Sequence, residues 1–203
     1  MSDEMIVGKP NRILVNQHVA NEFHVRLARP ITEVDDFEDE FQMFASAGDR
    51  DLITLDIVTP GGSMDTAHML CRAIHRTAAH TVAYIGPTCA SAGTAIALAC
   101  DEWEIDDMSS FMIHTGSYGY AGMAPHVKAN VDHIDKMMER FVRLTYTGFL
   151  TTEEIERVLD GREMYFEGEE LAQRLMAYSQ YREAIREAMA HDEEGVDTDP
   201  FDD

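Results

Sequence analysis

The chain has 203 residues, 16 Lys and Arg against 38 Asp and Glu, a formal net charge of −22 and 45% hydrophobic residues. Length and apolar fraction fit one domain with a packed core, since domains mostly run from ~50 to ~250 residues. So negative a surface repels phosphate backbones and anionic lipid headgroups, which argues against nucleic acid and membrane surfaces as partners.

In chain order, residues 23–29 (FHVRLAR) alternate apolar and polar side chains and predict a half-exposed strand. Thr32 is placed to cap a helix whose apolar positions Phe37, Phe41 and Phe44 recur at four and three. From Asp51, LITLDIV reads as a strand that breaks at Thr59-Pro60-Gly61-Gly62, followed by a helix over about residues 63–78. Met69/Leu70, Ala73/Ile74 and Thr77/Ala78 share one face of that helix. TVAYIG, residues 81–86, predicts the next strand, ended by Pro87. ASAGTAIALAC, residues 90–100, is apolar all round, the mark of a helix buried on every side. Short strands are expected over 103–105 and 110–114.

After Gly116, Gly119 and Gly122 a long helix opens near Ala124-Pro125, where the missing proline N–H is no loss. Its stripe of Val127, Val131, Ile134, Met138, Phe141 and Leu144/Thr145 needs a core or a partner to cover it. Strands alternating with helices predict an α/β domain with parallel crossovers over 1–190. Residues 191–203, HDEEGVDTDPFDD, carry seven acids and no Lys or Arg, and read as a solvated tail.

Three small-residue loops at strand ends could carry chemistry, because parallel α/β sheets place their sites there. Pro60-Gly61-Gly62-Ser63 allows positive φ and leaves N–H groups open to an anion. Cys89-Ala90-Ser91-Ala92-Gly93 sets a serine at a helix entrance, where the dipole and the Ala92 N–H favour negative charge. Met112-Ile113-His114-Thr115-Gly116 ends a strand on a histidine, the usual base for a serine nucleophile near neutral pH. Taken singly, the three have plain structural readings as a tight turn, a helix cap and a structural histidine.

Other chemistries find little support. His68, His75, His80, His126 and His133 make no i, i+4 pair and no HExxH, and no dinucleotide fingerprint or Walker loop is present, so no metal and no cofactor is expected. Cys71, Cys89 and Cys100 fit neither a disulfide framework nor a CxxC site, and Cys89 reads as inert core. No apolar run reaches the ~18 residues that span a bilayer, and MSDEMIVGKP lacks the order of a signal peptide, so a cytoplasmic location is expected.

In order and approximate spacing, PGGS, ASAG and MIH together resemble the Clp protease proteolytic subunit (ClpP) family, clearly from Asp51 to Leu171 and faintly before. The resemblance implies a crotonase-like spiral of ββα units with a protruding strand-helix handle at about 115–147. It further implies a self-compartmentalised serine endopeptidase acting on unfolded polypeptides, built as a homo-oligomeric, stacked double ring (heptameric in the family) and fed by an AAA+ unfoldase ATPase. By the same resemblance Ser91, in A-S-x-G, is the nucleophile and His114, in M-I-H, the general base. Gly62 and Ala92 supply the oxyanion-hole N–H groups. An extended substrate pairs along Gly61, Gly62, Ser63 and Met64 on one side and at Gly116 and Tyr118 on the other.

The family's register puts Glu163 where its catalytic aspartate stands, with Asp160 as the competing third member. Arg174-Leu175-Met176-Ala177 replaces the family's Gly-Leu-Val-Asp turn. The alternatives are a weak or inactive structural ring subunit, a crotonase-fold acyl-transfer or hydrolase enzyme, and a peptidase with a lysine base. Lys128 and Lys136 lie on the handle helix, but neither stands in a matching motif.

Overall fold

The computed structural model describes residues 20–194. Strand β1 (Glu22–Leu27) alternates between exposed and half-buried positions until Leu27, which is fully buried. Thr32 does not cap the helix that follows. Its hydroxyl donates to the Asp36 carboxylate at 2.6 Å, a charge-assisted bond stronger than one made with a backbone N–H. The chain enters α1 (Glu38–Ser46) through a 3-10 turn, Val34–Phe37, which carries Phe37 into the core; Phe44 joins it there from α1.

β2 (Leu52–Thr59) runs parallel to β1 and turns Ile53, Leu55, Ile57 and Thr59 inward. α2 (Met64–Arg76) is capped by Ser63, whose Oγ accepts the Thr66 N–H at 3.2 Å. It buries Ala67, Leu70 and Ile74, while Met69 sits off that face.

β3 (His80–Ala90) runs straight through Pro87, where the sequence predicted its end. Its pairing with β2 holds register to Ile57 opposite Ile85, then shifts so that Thr59 faces Cys89. Pro87 falls in that irregularity, where the ladder needs no N–H. β3 also changes its other neighbour across the same stretch. Val82 to Ile85 pair with β4 (Glu102–Ile105), whereas Cys89 and Ala90 pair with β5 (Phe111–Ile113). β6 (Met164–Phe166), a strand the sequence reading did not include, then pairs with β5 in the antiparallel sense. The sheet order is β1-β2-β3-β5-β6, with β4 beside β3.

All eight residues of α3 (Ala92–Ala99) are buried, as its composition predicts. α4 (Ala124–Tyr146) has Pro125 in its first turn and buries only Val142 and Tyr146 fully. Its stripe from Val127 to Phe141 stays half-buried, and Leu144 is 70% exposed. A helix thus fills 124–146 of the span expected as a handle, while 114–123 before it forms no regular strand. After α5 (Thr152–Leu159), α6 (Gly168–Glu194) extends four residues into the segment read as a tail; the rest of that segment lies outside the described residues.

Aromatic contacts tie β5 and β6 to the helical layer. Phe149 meets Phe111, Phe166 and Tyr178 with centroids 5.4, 5.5 and 6.1 Å apart, pairs worth ~0.5–1.5 kcal/mol each beyond their buried area. Arg174 of α6 lies 4.3 Å over the Phe166 ring and holds Glu154 of α5 through two bonds of 2.9 and 2.7 Å. Glu154 also closes the capping box of α5 with Thr151.

The Arg174 bonds, helped by the Thr151 N–H against partial burial, hold the Glu154 carboxyl below its usual 4.5. A depressed carboxylate stabilises fully above its ordinary pKa and loses that contribution as pH falls through the folded value. Glu154→Gln should therefore cost about 1–2 kcal/mol in denaturant unfolding at pH 7, a charge-assisted bond being worth roughly that when partly exposed. The gap to wild type should close as pH falls below 4.5. A gap of constant size into strong acid would contradict this.

Candidate active site

The parallel strands β2, β3 and β5 end at one edge of the sheet, and each ends in one of the three small-residue loops. After β2, Gly61 and Gly62 take φ of 88° and 151°. The Ile31 N–H donates to Gly61 O at 2.9 Å and the Ser63 N–H to Ile31 O at 2.7 Å, clamping the loop against the segment that leaves β1. A Cβ on Gly62 would lie 2.1 Å from Ile31 O; one on Gly61 would lie 2.6 Å from Ser91 Cβ and 2.9 Å from Ala92 N. Glycine is needed at both places, and Gly61 is packed directly on Ser91. The Gly61 N–H is taken by Thr59 Oγ1, whereas the Gly62 N–H has no acceptor among the described residues.

Ser91 joins β3 to α3 with φ 53° and ψ −122°, and it alone among the described non-glycine residues has positive φ. Such a conformation costs ~1–3 kcal/mol and persists only where its surroundings over-determine it. Here they do. The Ser91 N–H donates to Met112 O at 2.7 Å, and Ser91 O accepts both the N–H and the hydroxyl of Thr94, at 2.9 and 2.7 Å. The Ser91 hydroxyl makes no hydrogen bond among the described residues and is half-buried. A sharp, strained strand-to-helix turn that presents a free serine hydroxyl is the geometry of a nucleophile elbow. Ala92 opens α3, so its N–H is one of the helix's unpaired donors.

His114 follows β5, half-buried. Because Ala90 pairs with Met112, Ser91 and His114 leave adjacent strands within a residue or two of each other. On the other side, Ile113 faces Met164, so the next step of that ladder sets Glu163 across from His114. The Glu163 carboxylate is exposed and accepts the Tyr165 hydroxyl at 2.8 Å. Asp160 is exposed at the C-cap of α5, outside the β5–β6 ladder. The structure thus brings Ser91, His114 and Glu163 to the ends of three neighbouring strands, and no side-chain hydrogen bond links them. Catalytic hydrogen bonds are often long before substrate binds.

The expected substrate-binding residues divide. Both main-chain groups of Ser63 are engaged, its N–H by Ile31 O and its C=O by the Ala67 N–H, so they are closed to a substrate strand. Met64 opens α2 and lines a cavity of about 240 Å³ together with His68, Phe141 and Leu144. The Gly116 N–H points to Met138 Sδ at 3.4 Å, and Tyr118 donates to Asp135 at 2.5 Å, so both hold the glycine-rich segment against α4.

Cys89 is fully buried, and burial pushes its thiol up, which leaves it inert. Among the described residues no three His, Cys, Asp or Glu side chains gather as a metal site, and no helix is long and apolar enough to cross a membrane. Sequence reasoning missed Thr94 and Tyr146. Thr94 is the single polar residue in α3, and that was a legible signal.

A family profile described as "NfeD1b, N-terminal domain" matches residues 33–140, more than half of the chain and a span holding Ser91 and His114. No curated protein matches the chain in sequence. Among solved structures, a point mutant of ClpP1 from Listeria monocytogenes is similar with a TM-score of 0.61 and 20% identity, over 75% of this chain and 86% of that one. At that identity the likeness is one of fold, and the chain has the ClpP-like α/β fold that its motifs implied.

Proposed function

We propose that this chain, which belongs to the NfeD1b N-terminal-domain family, works as a serine endopeptidase through Ser91 and His114. The observation that carries the reading is the Ser91 elbow, set at positive φ beside two N–H donors, those of Gly62 and Ala92, that have no acceptor among the described residues. In the mechanism Ser91 Oγ attacks a peptide carbonyl as His114 takes its proton. The oxyanion forms toward the Gly62 and Ala92 N–H groups, and His114 returns the proton to the leaving amine. Water activated by His114 then releases the acyl group. One such N–H donor is typically worth ~10²-fold or more in turnover.

The β5–β6 register supports Glu163 over Asp160 as the group that orients the imidazole. The cavity lined by Met64, Asp65, His68, Arg140, Phe141 and Leu144 at the start of α2 suits a substrate side chain that meets both apolar and charged groups. The half-buried stripe on α4 supports a homo-oligomeric ring docked through that helix. A second reading, a catalytically weak ring subunit, is favoured by one contact, the Tyr165 hydroxyl held on Glu163.

Hydrolysis of a fluorogenic peptide and of an unfolded polypeptide tests the proposal. Wild type should turn over both, His114→Ala should lose about 10³-fold or more, and Glu163→Ala should lose more than Asp160→Ala. If Asp160→Ala alone abolishes turnover, Asp160 is the acid. If Lys128→Ala or Lys136→Ala does so while His114→Ala does not, the base is a lysine. A folded wild type that hydrolyses neither substrate supports the second reading.

A further inference from the structure

We infer that Tyr146, acting through Thr94, is a positioning residue for the Ser91 nucleophile, so that the end of the handle helix holds the elbow in its reactive shape. This rests on the serine-peptidase reading. Tyr146 is the last residue of α4 and 1% exposed; Thr94, on the third position of α3, is fully buried. Their hydroxyl oxygens are 2.7 Å apart, and Thr94 Oγ1 lies 2.7 Å from Ser91 O.

The direction of the chain follows from proton counting. Ser91 O has no proton to give, so the Thr94 hydroxyl donates to it. A hydroxyl carries one proton, so Thr94 Oγ1 must accept from Tyr146. Burial raises the Tyr146 phenol above its usual range and keeps it a donor across working pH. Tyr146 therefore fixes the rotor of Thr94, and Thr94 fixes the carbonyl of a residue held at φ 53°. The Thr94 N–H holds the same carbonyl at 2.9 Å, and on the other side of Ser91 its N–H bond to Met112 O at 2.7 Å and the packing of Gly61 also hold the turn.

The placement gives the contact a purpose beyond packing. α4 is fully buried at just two of its residues, and one of them is Tyr146. A shift of this helix along the body therefore reaches Ser91 through two hydrogen bonds. A displacement of ~1 Å at a reacting group can cost ~10²-fold, so a partial loosening should cost less.

The test compares kcat, KM and the rate of fluorophosphonate labelling in four variants. Tyr146→Phe keeps the ring and removes the hydroxyl; kcat and the labelling rate should fall about tenfold with KM within about twofold. Thr94→Val should fall as far or further, and Thr94→Ser should stay within about twofold of wild type. The double variant Tyr146→Phe/Thr94→Val should be no slower than Thr94→Val alone, since both act on one chain of bonds. The pH profile should keep its shape, because His114 is untouched.

Unchanged kcat in Tyr146→Phe and Thr94→Val would overturn the inference. So would a rise in KM with kcat unchanged, or full additivity in the double variant. If Tyr146→Phe fails to fold, Thr94→Val against Thr94→Ser decides alone. Wild type that is not labelled at Ser91 would instead refute the peptidase reading, a separate failure.

Discussion

Ser91→Ala should lose peptide hydrolysis by about 10⁴-fold or more while folding and sedimenting as wild type does. The loss is chemical, because alanine has no nucleophile and cannot form an acyl-enzyme. Stability should change by no more than about 0.5 kcal/mol, because the Ser91 hydroxyl makes no hydrogen bond among the described residues and both residue types bear the same strain at φ 53°. Ser91→Gly sharpens the point. It should be equally inactive, yet more stable by about 1 kcal/mol, since glycine accepts that φ without penalty. Activity, denaturant unfolding and sedimentation velocity on the three proteins check this together. A Ser91→Ala protein that keeps its turnover removes Ser91 from the chemistry, and a wild type that sediments as a single chain removes the ring from the proposal.

Gly61→Ala should damage both stability and rate. Alanine at φ 88° costs ~1–2 kcal/mol before any contact is counted, and its Cβ would fall 2.6 Å from Ser91 Cβ and 2.7 Å from Ala90 O. Both atoms belong to the turn at Ser91, so relief requires the loop after β2 to move away from Ser91, carrying the Gly62 N–H with it. The expected loss is about 2–4 kcal/mol in unfolding and about 10²-fold or more in kcat. Gly119→Ala is the control. Nothing lies within 4 Å of its added Cβ, so it should match wild type in both measurements. A Gly61→Ala protein with wild-type stability and rate would show that the Gly61–Ser91 contact constrains nothing.

What was legible in the sequence was periodic or local. The alternation of β2, the all-apolar α3 and the Gly61, Ser91 and His114 loops follow from side-chain spacing and from glycine's freedom, and the structure brings those loops to one edge. The misses have a common cause in long-range pairing. Pro87 looked like a strand end because the register shift opposite Val58 and Thr59 cannot be read from β3 alone. Thr32 looked like a cap until Asp36 took its hydroxyl. The antiparallel β6 turns on contacts made across the fold to Phe149 and Arg174. Thr94 and Tyr146 are 52 residues apart, and only folding shows them to be bonded.

The charge of −22 also gains an address. Acidic side chains gather at the entry to α1 (Glu33, Asp35, Asp36, Glu38, Asp39 and Glu40) and along 101–107 (Asp101, Glu102, Glu104, Asp106 and Asp107), while the elbow and its two loops are built almost wholly from small, uncharged residues.

The most direct test is covalent. The protein, folded and at neutral pH, is treated with a fluorophosphonate, digested, and searched by mass for the adduct. A single adduct on Ser91, formed far more slowly in His114→Ala, is the predicted result. No adduct on folded protein, or an adduct on another serine with Ser91 unmodified, would contradict the account.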